Sequence, residues 1–128
     1  MIPENFKTLV DKLTEKTTKK EAIWYKTSGY NEFKLDLGKG AITVDRWGNE
    51  MSGDGMVDLT IINEYGDTVD SVSFSNLDKQ DYKYLVDFHS LVQRTHNKVD
   101  EIFKTIFEEL DSNKTVGTEK KVDNLPPW

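Results

Sequence analysis

Apolar residues recur along this chain with two different spacings, and the change from one to the other divides it into three stretches. Phe6, Leu9, Val10 and Leu13 follow the i, i+3, i+4, i+7 spacing of an amphipathic helix. Pro3 stands just ahead of them, where a first helical position tolerates the missing N–H. The pattern predicts a short N-terminal helix. From Thr14 to Glu21 there is no apolar side chain to bury, so this stretch is expected to be a fraying helix end and a connector.

From Ala22 to Asn76 the spacing changes to two, the repeat of a strand with one dry face and one wet face. The predicted strands are Ala22–Thr27, Glu32–Leu37, Ala41–Trp47, Met56–Glu64 and Thr68–Ser75, separated by glycine-bearing turns. Phe33, Leu35 and Leu37 alternate with Glu32, Lys34 and Asp36. Val57, Leu59 and Ile61 alternate with Asp58 and Thr60, and Val72 and Phe74 continue the pattern. Strands of this kind pair as an antiparallel meander with a face that needs covering.

The cover is expected from Asp78 to Leu110, capped by Asn76 or Asp78, with Leu85, Phe88, Val92, Val99, Ile102 and Ile106 on one helical stripe. Its middle, Gln93 to Lys98, is polar, and a kink or break is expected near Asn97. The fold class is therefore α+β: an antiparallel β-meander of about five strands, a short N-terminal helix, and a long or broken C-terminal helix packed on one sheet face. Residues 1–110 form the expected single domain. Residues 111–128, aperiodic and ending in Pro126, Pro127 and Trp128, form the expected flexible tail.

A length of 128 residues suits one core, and a hydrophobic fraction of 36% is enough to fill it. There is no cysteine, so disulfides and thiolate chemistry are excluded. No apolar run is long enough to cross a bilayer and no secretion-signal pattern opens the chain, so a cytoplasmic location without membrane contact is expected. A net charge of −6 opposes binding to duplex nucleic acid and favours a basic protein partner. Only Arg46 and Arg94 carry guanidinium groups.

Candidate chemistry is sparse. The loop from Asp45 to Gly55 contains oxygen ligands, but its spacing places Glu50 where a calcium loop requires glycine and Met56 where it requires a chelating glutamate. His89 and His96 lie seven residues apart on the predicted helix, about 10 Å of rise, too far to share one metal. With Gln93 and Asp100 they read as a polar stripe that is solvated or faces a partner. No serine sits in a nucleophile elbow, and the glycine pairs join strands without leading into a helix. Asp36, Asp45, Asp58 and Asp70 read as charges that keep a sheet face soluble. No catalytic residue, metal site or cofactor is expected.

The aromatic set Trp24, Tyr25, Tyr30, Phe33 and Trp47 cannot all enter one core by alternation, so some of it must face outward. The expected partner- or ligand-binding residues are Trp24, Tyr25, Tyr30, Arg46, Trp47, Arg94 and His96. Phe103, Phe107 and Leu110 widen the late helical stripe enough to suit a second subunit, so a homodimer is also expected.

The stretch from Val57 to Asp70, followed by Tyr82 to Leu110, resembles small uncharacterised proteins of bacterial phages and mobile elements, in which a strand-turn-strand precedes a helical C-terminus. That resemblance implies a genomic context and no mechanism. The leading functional expectation is a non-enzymatic binding module: an acidic adaptor, inhibitor or immunity-type protein, of phage or mobile-element anti-defence kind, that engages a basic partner. The alternative is a small-ligand, nucleotide or single-stranded nucleic-acid binder that uses aromatic stacking and arginine.

Overall fold

A computed structural model of the chain describes residues 1–119. Its elements are α1 (Glu4–Thr18), β1 (Tyr25–Lys26), β2 (Glu32–Leu37), β3 (Gly40–Gly48), β4 (Gly55–Asn63), β5 (Thr68–Ser75), a 3-10 turn (Asn76–Asp78), α2 (Lys79–His96) and α3 (Val99–Leu110). The strands form one antiparallel sheet in sequence order, the α+β meander that the alternation predicts.

The register sorts the side chains into rows. Phe33, Val44, Leu59 and Val72 lie opposite one another across four strands, and Leu35, Ile42 and Ile61 form the next row on the same face. Glu32, Asp45, Asp58 and Ser73 form a row on the other face. Burial follows this division: Phe33, Val44 and Leu59 are almost wholly enclosed, whereas Asp45 and Asp58 are only partly covered. A slip of one residue would put the charged row under the helices, so the register is strongly specified.

The apolar face is covered by α2, whose Leu85, Phe88, His89 and Val92 are buried and which packs against β3, β4 and β5. Alongside it lies α1, which adds Phe6, Val10 and Leu13 to the same core. The Tyr84 hydroxyl on α2 ties the helices together by donating to Asp11 Oδ1 at 2.5 Å and to the Lys7 carbonyl at 3.3 Å. Burial, together with the Asp11 carboxylate, holds the phenol pKa well above its usual value, so it remains a donor.

Two boundaries depart from the sequence pattern, and one hydrogen bond accounts for both. Trp24 does not continue a strand from Ala22 but turns into the core, where its ring meets Phe88 edge-on at 5.8 Å and its Nε1 donates to Thr17 Oγ1 at 3.0 Å. A buried indole needs such an acceptor. Thr17 is 1% exposed, so α1 continues past Thr14 to Thr18 instead of fraying. The first strand is correspondingly reduced to Tyr25–Lys26.

At the other end, Asp78 stands at the N-cap position of α2, as expected, and Ser75 caps the 3-10 turn that leads into it. The Ser75 hydroxyl accepts from the Leu77 amide at 3.2 Å, and Asp78 Oδ2 accepts from the Ser75 amide at 2.8 Å. Asn76 is used elsewhere, accepting from the Gly55 amide at 3.1 Å. The expected break near Asn97 is present: Lys98 takes a left-handed conformation with φ 53° and ψ 43°, ending α2 and starting α3 in a new direction. Residues 111–119 form no helix or strand, and the remainder of the expected tail, 120–128, lies outside the described residues. Among the described residues, no helix is long and apolar enough to cross a membrane.

Replacing Thr17 by Val keeps the volume and removes the acceptor for Trp24. The expected loss is about 1–3 kcal/mol of unfolding free energy in urea denaturation. An unchanged midpoint would show that the indole does not depend on Thr17.

Candidate functional site

In α3 the residues Ile102, Phe103, Ile106, Phe107 and Leu110 fall on one side of the helix, and no residue of the helix is buried. These five side chains are between 44% and 59% exposed. The Phe103 and Phe107 rings contact each other, with centroids 5.8 Å apart. The polar side of α3 and its C-cap carry Asp100, Glu101, Glu108, Glu109 and Asp111 against the single Lys104. Its last turn has no basic residue, so the charges there oppose the helix dipole.

Two exposed ion pairs hold α3 to the body, Lys20 to Glu101 at 2.6 Å and Arg94 to Asp100 at 3.3 Å. The hydrogen bond between Lys20 and Glu101, with their opposite charges, raises the Lys20 pKa and lowers that of Glu101. Exposed pairs of this kind are weak, because water and salt screen them. A helix of 12 residues is marginal in water without a packed face.

The residues singled out from sequence separate into three places. Trp24 is largely a core residue, and the little of it that is exposed lines the same depression as Arg94 and His96. Tyr25 is 40% exposed on the edge strand β1, apart from the others. Arg94 and His96 lie at the α2–α3 junction beside a depression of about 270 Å³. There His96 packs on Phe33 with ring centroids 5.2 Å apart and its Nδ1 meets Asn97 Oδ1 at 3.1 Å.

Tyr30, Arg46 and Trp47 come together in a cleft of about 520 Å³ between the end of β3, the loop before β2 and α2. Alternation along β3 places Arg46 on the same face as Ile42 and Val44, opposite Val57 of β4. The helix cover thins at this point and leaves the guanidinium exposed. Trp47, on the other face, donates its indole N–H to Asp58 Oδ2 at 2.7 Å. Tyr82 of α2 closes over Gly55, where an added Cβ would stand 2.6 Å from the tyrosine hydroxyl oxygen.

His89 also lines this cleft but is 1% exposed, so it is a core residue and not part of a solvated stripe. Its Nε2 lies 2.6 Å from the Asn31 carbonyl oxygen, which can only accept, so Nε2 carries the proton. Its Nδ1 is buried with no hydrogen-bond partner. Burial lowers its pKa; the Asn31 bond opposes this and the Arg46 charge adds to it. The sequence does contain a signal for this burial, because Leu85, His89 and Val92 lie at i, i+4 and i+7.

The carboxylates of Glu32, Asp45 and Asp58 are neighbours across β2, β3 and β4. Asp58 is satisfied by Trp47 and by the Ser73 hydroxyl, which donates to its other oxygen. Burial raises the pKa of Asp45, followed by the charges of Glu32 and Asp58. Among the described residues, no group of three or more His, Asp or Glu side chains is arranged to hold a metal ion.

Both shifts predict pH effects. A raised carboxyl pKa means that ionised Asp45 costs stability near neutral pH, a cost that fades as pH falls through its folded pKa. Asp45→Asn should therefore raise the melting temperature at pH 7, modestly because solvent screens a partly exposed carboxylate, with the gain shrinking in acid. Equal melting temperatures at pH 7 would contradict this. The lowered His89 pKa acts in the opposite sense: it leaves stability intact above its usual value of 6.5 and removes it as pH falls below that, toward the folded pKa. Denaturation midpoints measured across that window should fall for the natural chain and level off in His89→Asn. No family model matches this chain, and comparison with curated proteins and with solved structures likewise finds no match.

Proposed function

We propose that this protein is a non-enzymatic binding module that docks on a basic protein partner through α3. The observation that carries this reading is the unburied apolar side of α3, five large side chains on a helix too short to be stable alone. Contiguous apolar surface bordered by charge is characteristic of an interaction site. The side that faces inward in the complex is Ile102, Phe103, Ile106, Phe107 and Leu110, and the acidic residues form its rim.

Charge selects the partner. A second copy of this chain packed along α3 antiparallel would set Asp100 and Glu101 beside Glu108 and Glu109, and a parallel arrangement would set each acid beside itself. Like charges in such positions raise the energy of the complex. An apolar groove edged with Lys and Arg is complementary, and the overall charge of −6 speeds its encounter. The role is that of an acidic adaptor, inhibitor or immunity-type protein, and the sequence resemblance supports a phage or mobile-element setting. The cytoplasm is its proposed location.

A photo-crosslinking amino acid placed at Ile106 in the full chain tests this. The expected product joins the chain to one identifiable protein whose contact surface is an apolar groove with basic edges. The complex should weaken by about tenfold or more in Phe103→Asp/Phe107→Asp, and it should also weaken with added salt. Both side chains are exposed, so the fold should tolerate the change. Crosslinking only to a second copy, with a doubled mass in solution, would overturn the basic-partner reading. Unchanged binding by the double variant would overturn docking through α3.

A further inference from the structure

The Arg46 cleft lies apart from α3, and its chemistry points to a small ligand. Of the two arginines, Arg94 is paired with Asp100, whereas Arg46 has no ion-pair partner among the described residues. His89 lines the same cleft with Nδ1 buried and unpartnered. Because Nε2 uses its proton on Asn31, neutral Nδ1 is only an acceptor. A buried acceptor left unpaired has lost its water without compensation, and a ligand N–H or O–H would restore the bond. Two aromatic residues flank the cleft on the Arg46 side, Tyr30, 88% exposed, and Tyr82 of α2.

We propose that this cleft binds a small ring-bearing monocarboxylate that also carries an N–H or O–H donor. The guanidinium takes the carboxylate through paired N–H bonds, the donor reaches His89 Nδ1, and the ring packs among the aromatic side chains. A volume of about 520 Å³ falls within the range of small-molecule sites. A single charge is favoured over a phosphate dianion for two reasons. Only one guanidinium serves the site, and the chain carries a net charge of −6.

Calorimetric titration of the full chain with 4-hydroxyphenylacetate, 4-hydroxybenzoate and indole-3-acetate tests the site. At least one acid should bind with a Kd of about 1 mM or tighter. Its neutral amide, or the acid added to Arg46→Gln, should bind at least about tenfold more weakly. The His89 Nδ1 nitrogen resonance should move on addition of the acid and stay in place with the amide. Arg46 is exposed, so the variant should fold; Tyr30→Ala supplies a second, equally exposed change with the same expected loss. The proposal is overturned if no acid binds below about 10 mM, if acid and amide bind alike, or if 4-hydroxyphenyl phosphate binds about tenfold tighter than the acids. Phe103→Asp/Phe107→Asp should bind the acid unchanged, so failure here and failure of α3 docking give different results.

Discussion

The structure depends on one contact layer: the stripe Leu85, Phe88, His89 and Val92 of α2 laid over the row Phe33, Val44 and Leu59 of the sheet. A meander of this size with one dry face does not hold together until that face is covered. Here a single helix does most of the covering, with α1 packed beside it. Each strand keeps its register because a slip would exchange this row for Glu32, Asp45 and Asp58. The charged outer row is thus a consequence of the inner one, and within it burial, followed by the charges of Glu32 and Asp58, raises the Asp45 pKa.

One helix over five strands leaves both of its ends as borders, and the two proposed surfaces lie there. At the C-terminal end, Lys98 in its left-handed conformation turns the chain away from the sheet. Without that turn, α3 would extend the axis of α2; with it, an apolar side is carried clear of the core and held by two exposed ion pairs. A left-handed lysine costs about 1–2 kcal/mol. In return the turn leaves the large apolar side chains of α3 only half covered within the chain, which suits a helix whose packing partner is another molecule.

Much of this was legible from residue spacing. Period-two alternation located β2 to β5 within about a residue, and the helical stripe located α2 together with its break, because both signals come from apolar side chains repeating in register. Trp24 and Thr17 escaped because their burial rests on one hydrogen bond between residues seven apart, which no periodic pattern records. His89 escaped through its chemistry: the spacing placed it on the buried stripe, but its polarity argued for water. Tyr30, Arg46 and Trp47 were identified, yet only the fold shows that they share a cleft from which Arg94 and His96 are absent.

The same alternation that builds the core explains why a guanidinium stands at its edge. On β3 the inward positions run Ile42, Val44, Arg46, so the face that is apolar in the middle of the sheet becomes cationic as β2 ends and the cover thins. An arginine one row further in would have to be desolvated without a partner, at a cost of several kcal/mol. At this border it keeps contact with water while lying close enough to depress the pKa of the buried His89. The pairing of an unmatched cation with an unmatched acceptor therefore exists only at the margin of the core. There a neighbouring apolar row excludes water from one side and an open cleft admits a ligand from the other.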